Sequence, residues 1–349
     1  MTAISDVALL VDWARLGSWM KAEGIADGPI DNILPLGGGT QNVIIKFTQD
    51  GKDFVLRRPP PNPRPESNET MRREARMLGA LASTDVPHPR LLGTCDDEAV
   101  IGVAFYLMEP VEGFNPVVGL PAYHAADPAV RRAMGFALVD GAAALGRVDY
   151  RAVGLEGFGK PDNYLERQVD RWHSQLQSYS RYAGWPGPTE LPGVAEVTDY
   201  LTQNRPAGFK PGILHGDYSL GNVMYRNAGP ELAAIIDWEL TTIGDPLLDL
   251  GWIIATWRGE APVDLDVLVV DPWEGFPAGD ELIAHYSAQT DRDMSHINWY
   301  IVLACYKLAI ILEGSFARAC AGKDPMPVGR SLHGTAQKLF RRALSRIQT

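Results

Sequence analysis

The sequence predicts an α+β chain of two lobes, a small β-rich one at the N-terminus and a larger, mainly helical one after it. Three observations carry that expectation. Val43 to Phe47 and Phe54 to Arg57 are short apolar, β-branched runs joined at Asp50-Gly51, the pattern of a hairpin. Beyond residue 130 the apolar positions recur at helical intervals, over Arg131 to Leu145, Tyr164 to Ser178 and Trp299 to Phe316. Between these regions the strand-like run Ala104 to Glu109 stops at Pro110-Val111-Glu112-Gly113, so the boundary is drawn there, with lobes over 1–109 and 110–349.

In chain order, the Val7 to Val11 run has no basic flank and is interrupted by Asp12, which predicts an amphipathic helix rather than a signal peptide. Gly37, Gly38, Gly39 and Thr40 stand at the lip of the first hairpin strand, where backbone N–H groups can approach phosphates closely. In the second strand, alternation puts Phe54 and Leu56 on one face and Val55 and Arg57 on the other, which selects Arg57 over Arg58 as a phosphate-facing cation. The prolines of Pro59 to Pro65 cannot continue strand or helix and form a stiff connector. A helix follows over Glu69 to Ser83, with Met71, Ala75, Leu78 and Ala82 at helical spacing. Its Glu74 pairs either with Arg73 or a neighbouring turn, or with a cation of the sheet. Far along the chain, Ile297 to Leu312 is greasy but holds Asn298 and Lys307, which predicts a buried helix rather than a membrane span.

The candidate chemistry lies between these helices. Ile213 and Leu214 read as a buried strand running into His215-Gly216-Asp217, with Asn222 shortly after. Val223 to Tyr225, a polar turn at Arg226 to Gly229 and Leu232 to Ile236 read as a hairpin, which brings Asn222 and Asp237 to its base. A carboxylate able to orient a hydroxyl (Asp217), followed by an amide and a second carboxylate able to hold Mg²⁺ against a triphosphate, is equipment for phosphoryl transfer. Among the neighbours, His215 braces the loop, Trp238 packs, and either Asp245 or Asp249 binds the loop backbone.

His-x-Asp, Asn five residues on, a hairpin and an ion-binding aspartate resemble the catalytic and metal loops of protein kinases. His215-Gly216-Asp217-Tyr218 with Asp237-Trp238, Tyr164 to Gln168 with Arg171-Trp172, and Asp245 to Leu250 are similar to the aminoglycoside phosphotransferase and choline kinase group, in the branch that includes the kinase-like domain fused to some acyl-CoA dehydrogenases. The resemblance implies a protein-kinase-like fold, ATP and Mg²⁺ as cofactors, Asp217 as catalytic carboxylate, Asn222 and Asp237 as metal ligands, and a small-molecule hydroxyl as acceptor. It also implies that Arg57 stands where related kinases carry lysine, with Glu74 as its partner, and that Met108 and Glu109 form a hinge contacting adenine. A guanidinium keeps the charge and can grip phosphate with two N–H groups.

The resemblance further implies a hydroxyacyl-CoA as acceptor, in which phosphorylation prepares removal of the hydroxyl. Residues 151–210 carry seven acidic and seven basic side chains, which does not favour the several ammonium groups of an aminoglycoside. Lys160, Arg167 and Arg171 are candidates for the phosphates of coenzyme A. An aminoglycoside-type antibiotic phosphotransferase and a nucleotide-binding pseudokinase are the alternatives. Protein kinase activity is disfavoured because Thr241 to Pro246 runs directly into another apolar stretch, leaving little room for a peptide-docking segment. A net charge of −11 argues against nucleic-acid and anionic-membrane partners, and three scattered cysteines fit a reducing, cytoplasmic compartment.

Overall fold

The computed structural model of the chain describes residues 9–37, 42–259, 265 and 268–348. Its contacts divide it into two compact units. The first comprises residues 1–112 together with Arg151–Leu155 and Ala233–Glu239; the second holds the rest. The two short returning segments depart from the sequence expectation of a single cut after residue 109. Local bonds explain one of them, since Ile235 N–H donates to Pro87 O at 2.9 Å.

In the first unit, helix α1 (Trp13–Ala22) starts later than expected. Asp12, the residue that interrupts the Val7 to Val11 run, is its N-cap and accepts from Arg15 N–H at 3.0 Å, so Leu9 to Val11 stay outside the helix. Val7 and Ala8 lie outside the described residues. Strands β1 (Ile30–Leu36), β2 (Val43–Gln49), β3 (Lys52–Arg58), β4 (Leu91–Cys95) and β5 (Phe105–Met108) form one antiparallel sheet in the order β1-β2-β3-β5-β4. The β2–β3 turn has positive φ at both Asp50 (51°) and Gly51 (68°), the backbone that matches strand twist in a two-residue hairpin. One face of the sheet buries Ile45, Phe47, Phe54, Leu56, Phe105 and Leu107 beneath Leu16 and Met20 of α1. Arg57, on the opposite alternation, meets helix α2 (Ser67–Leu81), whose buried stripe of Met71, Ala75 and Leu78 includes Glu74.

The second unit is mostly helical. Among its elements are α3 (Ala122–Ala126), α4 (Pro128–Arg147), α5 (Glu166–Gln177) and α6 (Val194–Gln203), then α7 (Leu247–Thr256), α8 (Gly279–Ser287), α9 (Ile297–Cys320) and α10 (Met326–Ile347). Asp127 caps α4 and Pro128 occupies its first turn, where a missing N–H costs nothing. Short strands β6 (Gly212–Leu214) and β9 (Thr242–Gly244) pair antiparallel, Ile213 opposite Ile243. Strands β7 (Val223–Tyr225) and β8 (Leu232–Ile235) form the expected hairpin, closed by Arg226 N–H to Glu231 O at 2.9 Å. Helix α9 packs on α7 and α10 as the core of this unit. At 24 residues it is apolar and long enough to cross a membrane, yet 72% of its most apolar window is buried against protein. Its Trp299, Tyr300, Val302, Leu303 and Ile310 are core residues, as a buried helix requires.

Candidate active site

The first unit contributes a buried ionic cluster. Arg57 is 7% exposed and reaches two carboxylates at once: Nε lies 2.9 Å from Glu74 Oε2, and Nη2 lies 2.7 Å from Asp237 Oδ1. The Tyr106 hydroxyl donates to Glu74 Oε2 at 2.9 Å. Burial opposes charge on Arg57, but its neighbouring acidic groups outweigh that cost and hold the guanidinium well above its ordinary value. Burial pushes Glu74 up to about 7 against the pull of Arg57 and Tyr106. The pair that the strand alternation and the helix spacing left open, Arg57 with Glu74, is therefore formed. Arg58 is buried beside it with Nε donating to Pro59 O at 3.0 Å and Nη1 bonded to Leu10 O, a structural arginine.

Asp237 has φ +65°, left-handed backbone that few non-glycine residues adopt. Such conformations persist where surroundings enforce them and are found disproportionately at functional sites. Trp238 is buried, its Nε1 donating to Ile235 O at 3.0 Å. Of the glycine loop, Gly37 is exposed at the end of β1, and Gly38, Gly39 and Thr40 lie outside the described residues. Past it, Asn42 Nδ2 donates to Glu239 Oε2 at 3.2 Å. At the strand break, Met108 pairs with Val55 and Leu91, and Glu109 N–H donates to Arg90 O at 2.9 Å. That amide is already committed within the sheet. What Glu109 can offer a base is its carbonyl, and the next donor is Val111, because Pro110 has no N–H.

The second unit holds the loop that the sequence singles out around Asp217. β6 delivers His215, which is fully buried, and Asp249 on α7 accepts from His215 N–H at 2.7 Å and Gly216 N–H at 2.9 Å. Of the two aspartates proposed for that bond, Asp249 makes it. Asp245 instead accepts from Leu247 N–H at 3.1 Å and from the Tyr300 hydroxyl. Burial pushes Asp249 up to about 7 although both N–H donors and Lys307 pull it down. Gly216 has φ +89°, and a Cβ there would lie 2.7 Å from Leu240 O, so only glycine fits. His215 Nδ1 accepts from Asp217 N–H at 3.3 Å.

Asn222 Nδ2 donates to Asp217 O at 2.8 Å and to Asp217 Oδ2 at 2.9 Å. Both partners are oxygens, so the amide nitrogen must face them and Oδ1 is turned elsewhere. An amide oxygen here and a carboxylate oxygen on Asp237 not given to Arg57 are hard donors of the type Mg²⁺ takes. No group of three His, Cys, Asp or Glu able to hold a metal occurs among the described residues. One or two protein ligands suffice for Mg²⁺ when phosphates and water complete its shell, so each of these oxygens is a fitting donor by its chemistry. Asn115, overlooked in the sequence, supports this segment by donating to Gly221 O at 2.6 Å and Val223 O at 3.2 Å.

A model of the phosphotransferase enzyme family matches residues 32–282, a span that includes Arg57, Glu74, His215, Asp217, Asn222, Asp237 and Asp249. The chain belongs to that family. Among solved structures, a chain from Ralstonia eutropha JMP134, provisionally named an aminoglycoside phosphotransferase, is 30% identical, covers 96% of this chain and 98% of its own, and superposes with a TM-score of 0.78. The GDP and kanamycin complex of an aminoglycoside 2″-phosphotransferase, 14% identical with a TM-score of 0.63 over 94% of this chain and 98% of that one, shares the fold. IBR3 of Arabidopsis thaliana, provisionally named an acyl-CoA dehydrogenase, is 32% identical over 78% of this chain and 34% of its own length. Acyl-CoA dehydrogenase family member 10 of Mus musculus is 27% identical over 85% of this chain and 27% of its own. The chain thus spans about a third of the curated relatives it matches.

The phosphotransferase has the kinase-like fold that the motifs implied. Sequence reasoning missed Tyr106, Asn115 and Lys307. Tyr106 carried no sequence signal, since its place opposite Arg57 is set by the β3–β5 register. Lys307 carried a signal, as a charge within the apolar run Ile301 to Leu312.

Proposed function

We propose that the phosphotransferase moves the γ-phosphate of ATP to a hydroxyl of a small molecule in the presence of Mg²⁺, with a hydroxyacyl-CoA as favoured acceptor. The observation that carries the reaction class is the arrested loop around Asp217. Its preceding backbone is tied to Asp249, its own N–H to His215, and its carboxylate to Asn222. A carboxylate held this way can meet an incoming hydroxyl in one orientation and accept its proton. Arg57 and the N–H groups of Gly37, Gly38, Gly39 and Thr40 neutralise phosphate oxygens, and Glu74 keeps the guanidinium aimed. Mg²⁺, held by Asn222 and Asp237, supplies further charge neutralisation when bound. The Glu109 carbonyl and Val111 N–H take the base beside Met108, a reading supported by the bond that occupies Glu109 N–H with Arg90 O. Solved relatives in complex with GDP and with ADP support a nucleotide as phosphate donor.

The acceptor follows from different support. Curated relatives sharing 27–32% identity carry acyl-CoA dehydrogenase names, and the charge of residues 151–210 is balanced. Lys160 and Arg171 remain candidates for coenzyme A phosphates. Arg167 is less available, since its guanidinium donates to Lys160 O at 2.7 Å and Asp162 O at 2.5 Å. An aminoglycoside is the second reading, favoured by the kanamycin and hygromycin B complexes of structural neighbours. Mass spectrometry of products from Mg-ATP with a panel of 3-, 4- and 5-hydroxyacyl-CoA thioesters and aminoglycosides separates them. Phosphorylated thioester is expected; efficient aminoglycoside phosphorylation with no thioester product overturns the acceptor assignment and leaves the phosphotransferase intact.

A further inference from the structure

We propose that Lys307 is a positioning residue of the phosphotransfer site: its ammonium clamps the Gly216 carbonyl and so fixes the peptide plane from which Asp217 projects. The proposal rests on the reading of Asp217 as the carboxylate that receives the hydroxyl proton.

Lys307 stands in α9 between Tyr306 and Leu308, both buried, in a helix most of whose residues are buried. A methionine would fill similar volume without the cost of desolvating an ammonium, so packing alone does not account for lysine here. The side chain is only partly exposed and its head is turned inward. Nζ donates to Gly216 O at 2.9 Å and sits 4.5 Å from the ring centroid of Trp252 and 5.7 Å from that of Trp172. Indole faces hold a cation where little water reaches it. The charged groups facing it are Asp217 of the loop, Asp249 of α7 and Arg171 of α5. Burial pushes the ammonium down to about 8 although both carboxylates favour its charge. A cavity of about 20 Å³ lined by Tyr164, Gln168, Asp249, Trp252 and Lys307 among others has room for one water.

The peptide joining Gly216 to Asp217 has two polar groups, the Gly216 carbonyl and the Asp217 N–H. Lys307 takes the first and the His215 ring takes the second, at 3.3 Å. Rotation of that plane changes ψ of Gly216 and φ of Asp217, and swings the Asp217 carboxylate with them. Glycine resists such rotation least of all residues, so the plane needs anchors outside the loop. The His215 bond is long, which leaves Lys307 the firmer anchor.

Three variants test this, Lys307→Met, Lys307→Gln and Lys307→Arg, the second keeping an N–H donor without charge and the third keeping both. Amide hydrogen exchange of the full-length protein reads the loop without any acceptor. In Lys307→Met, exchange across residues 213–222 is expected to accelerate by about tenfold while α9 and the β-sheet stay protected. With an acceptor in hand, kcat falls on the order of a hundredfold while the nucleotide KM stays within about twofold. Lys307→Arg restores most protection and turnover, and Lys307→Gln falls between. Unchanged loop exchange in a folded Lys307→Met protein overturns the proposal, as does acceleration spread evenly over α9, which marks a packing role. Retained turnover in Asp217→Asn instead overturns the reading of Asp217, and the two failures are distinguishable.

Discussion

Replacing Asp249 by alanine removes the acceptor of two buried backbone donors, His215 N–H and Gly216 N–H, held at 2.7 and 2.9 Å. An orphaned buried donor costs about 1–3 kcal/mol, which gives roughly 2–6 kcal/mol for the pair. Part is returned, because the wild-type carboxylate is itself expensive to bury, as its rise to about 7 records. A net loss of about 2–4 kcal/mol follows, a large share of a typical domain's 5–15 kcal/mol. Asp249→Asn keeps one oxygen acceptor but turns an NH₂ toward the other N–H, so its loss is smaller, about 1–3 kcal/mol. Denaturant unfolding measures both losses, and turnover measures the loop, where a displacement of 1 Å costs on the order of a hundredfold in rate. An Asp249→Ala protein whose unfolding midpoint and turnover match the wild type refutes the assignment of Asp249 as the loop's anchor.

Two further outcomes follow from the first unit. Glu74 is held at about 7 in the folded protein against an ordinary 4.5, so the folded state keeps a proton that the unfolded state releases. That contribution is full below about 4.5 and is lost as pH rises through 7, so thermal melts between pH 4.5 and 7.5 should decline with pH, and Glu74→Gln should flatten the decline; an equally steep variant profile contradicts it. Asp237→Ala removes a metal oxygen and one of the two partners of Arg57, so calorimetric nucleotide affinity should fall at least about tenfold with Mg²⁺ present and little without it, whereas equal affinity with Mg²⁺ excludes Asp237 as a ligand.

Much of the site was legible because phosphoryl transfer demands a short list of residue types at fixed spacing. His215-Gly216-Asp217, Asn222 and Asp237 could be read from that list, and the hairpin between them from its turn chemistry. Alternation in β3 selected Arg57, since a strand can aim only every second side chain at a given face. Long-range partners were not legible. Nothing local separates Asp249 from Asp245, because the choice depends on where α7 lies against the loop after β6. Tyr106 bonds Glu74 across 32 residues of sequence and Lys307 reaches Gly216 across 91, distances over which periodicity carries no information. In the described part of the Val7 to Val11 run, Leu9 to Val11 precede the helix because Asp12 caps it. The grouping of Asp237 with the first unit was missed because a strand's neighbours are set by pairing rather than by order along the chain.

In the proposed reaction Asp217 activates the hydroxyl while other residues hold the nucleotide. Turnover and nucleotide affinity measured side by side in Asp217→Asn test it most directly. Asparagine matches the carboxylate in shape and can still bond Asn222, but it cannot accept a proton. Turnover is expected to fall at least about 10²-fold with Mg-nucleotide affinity within about twofold of wild type. Turnover at the wild-type level contradicts it.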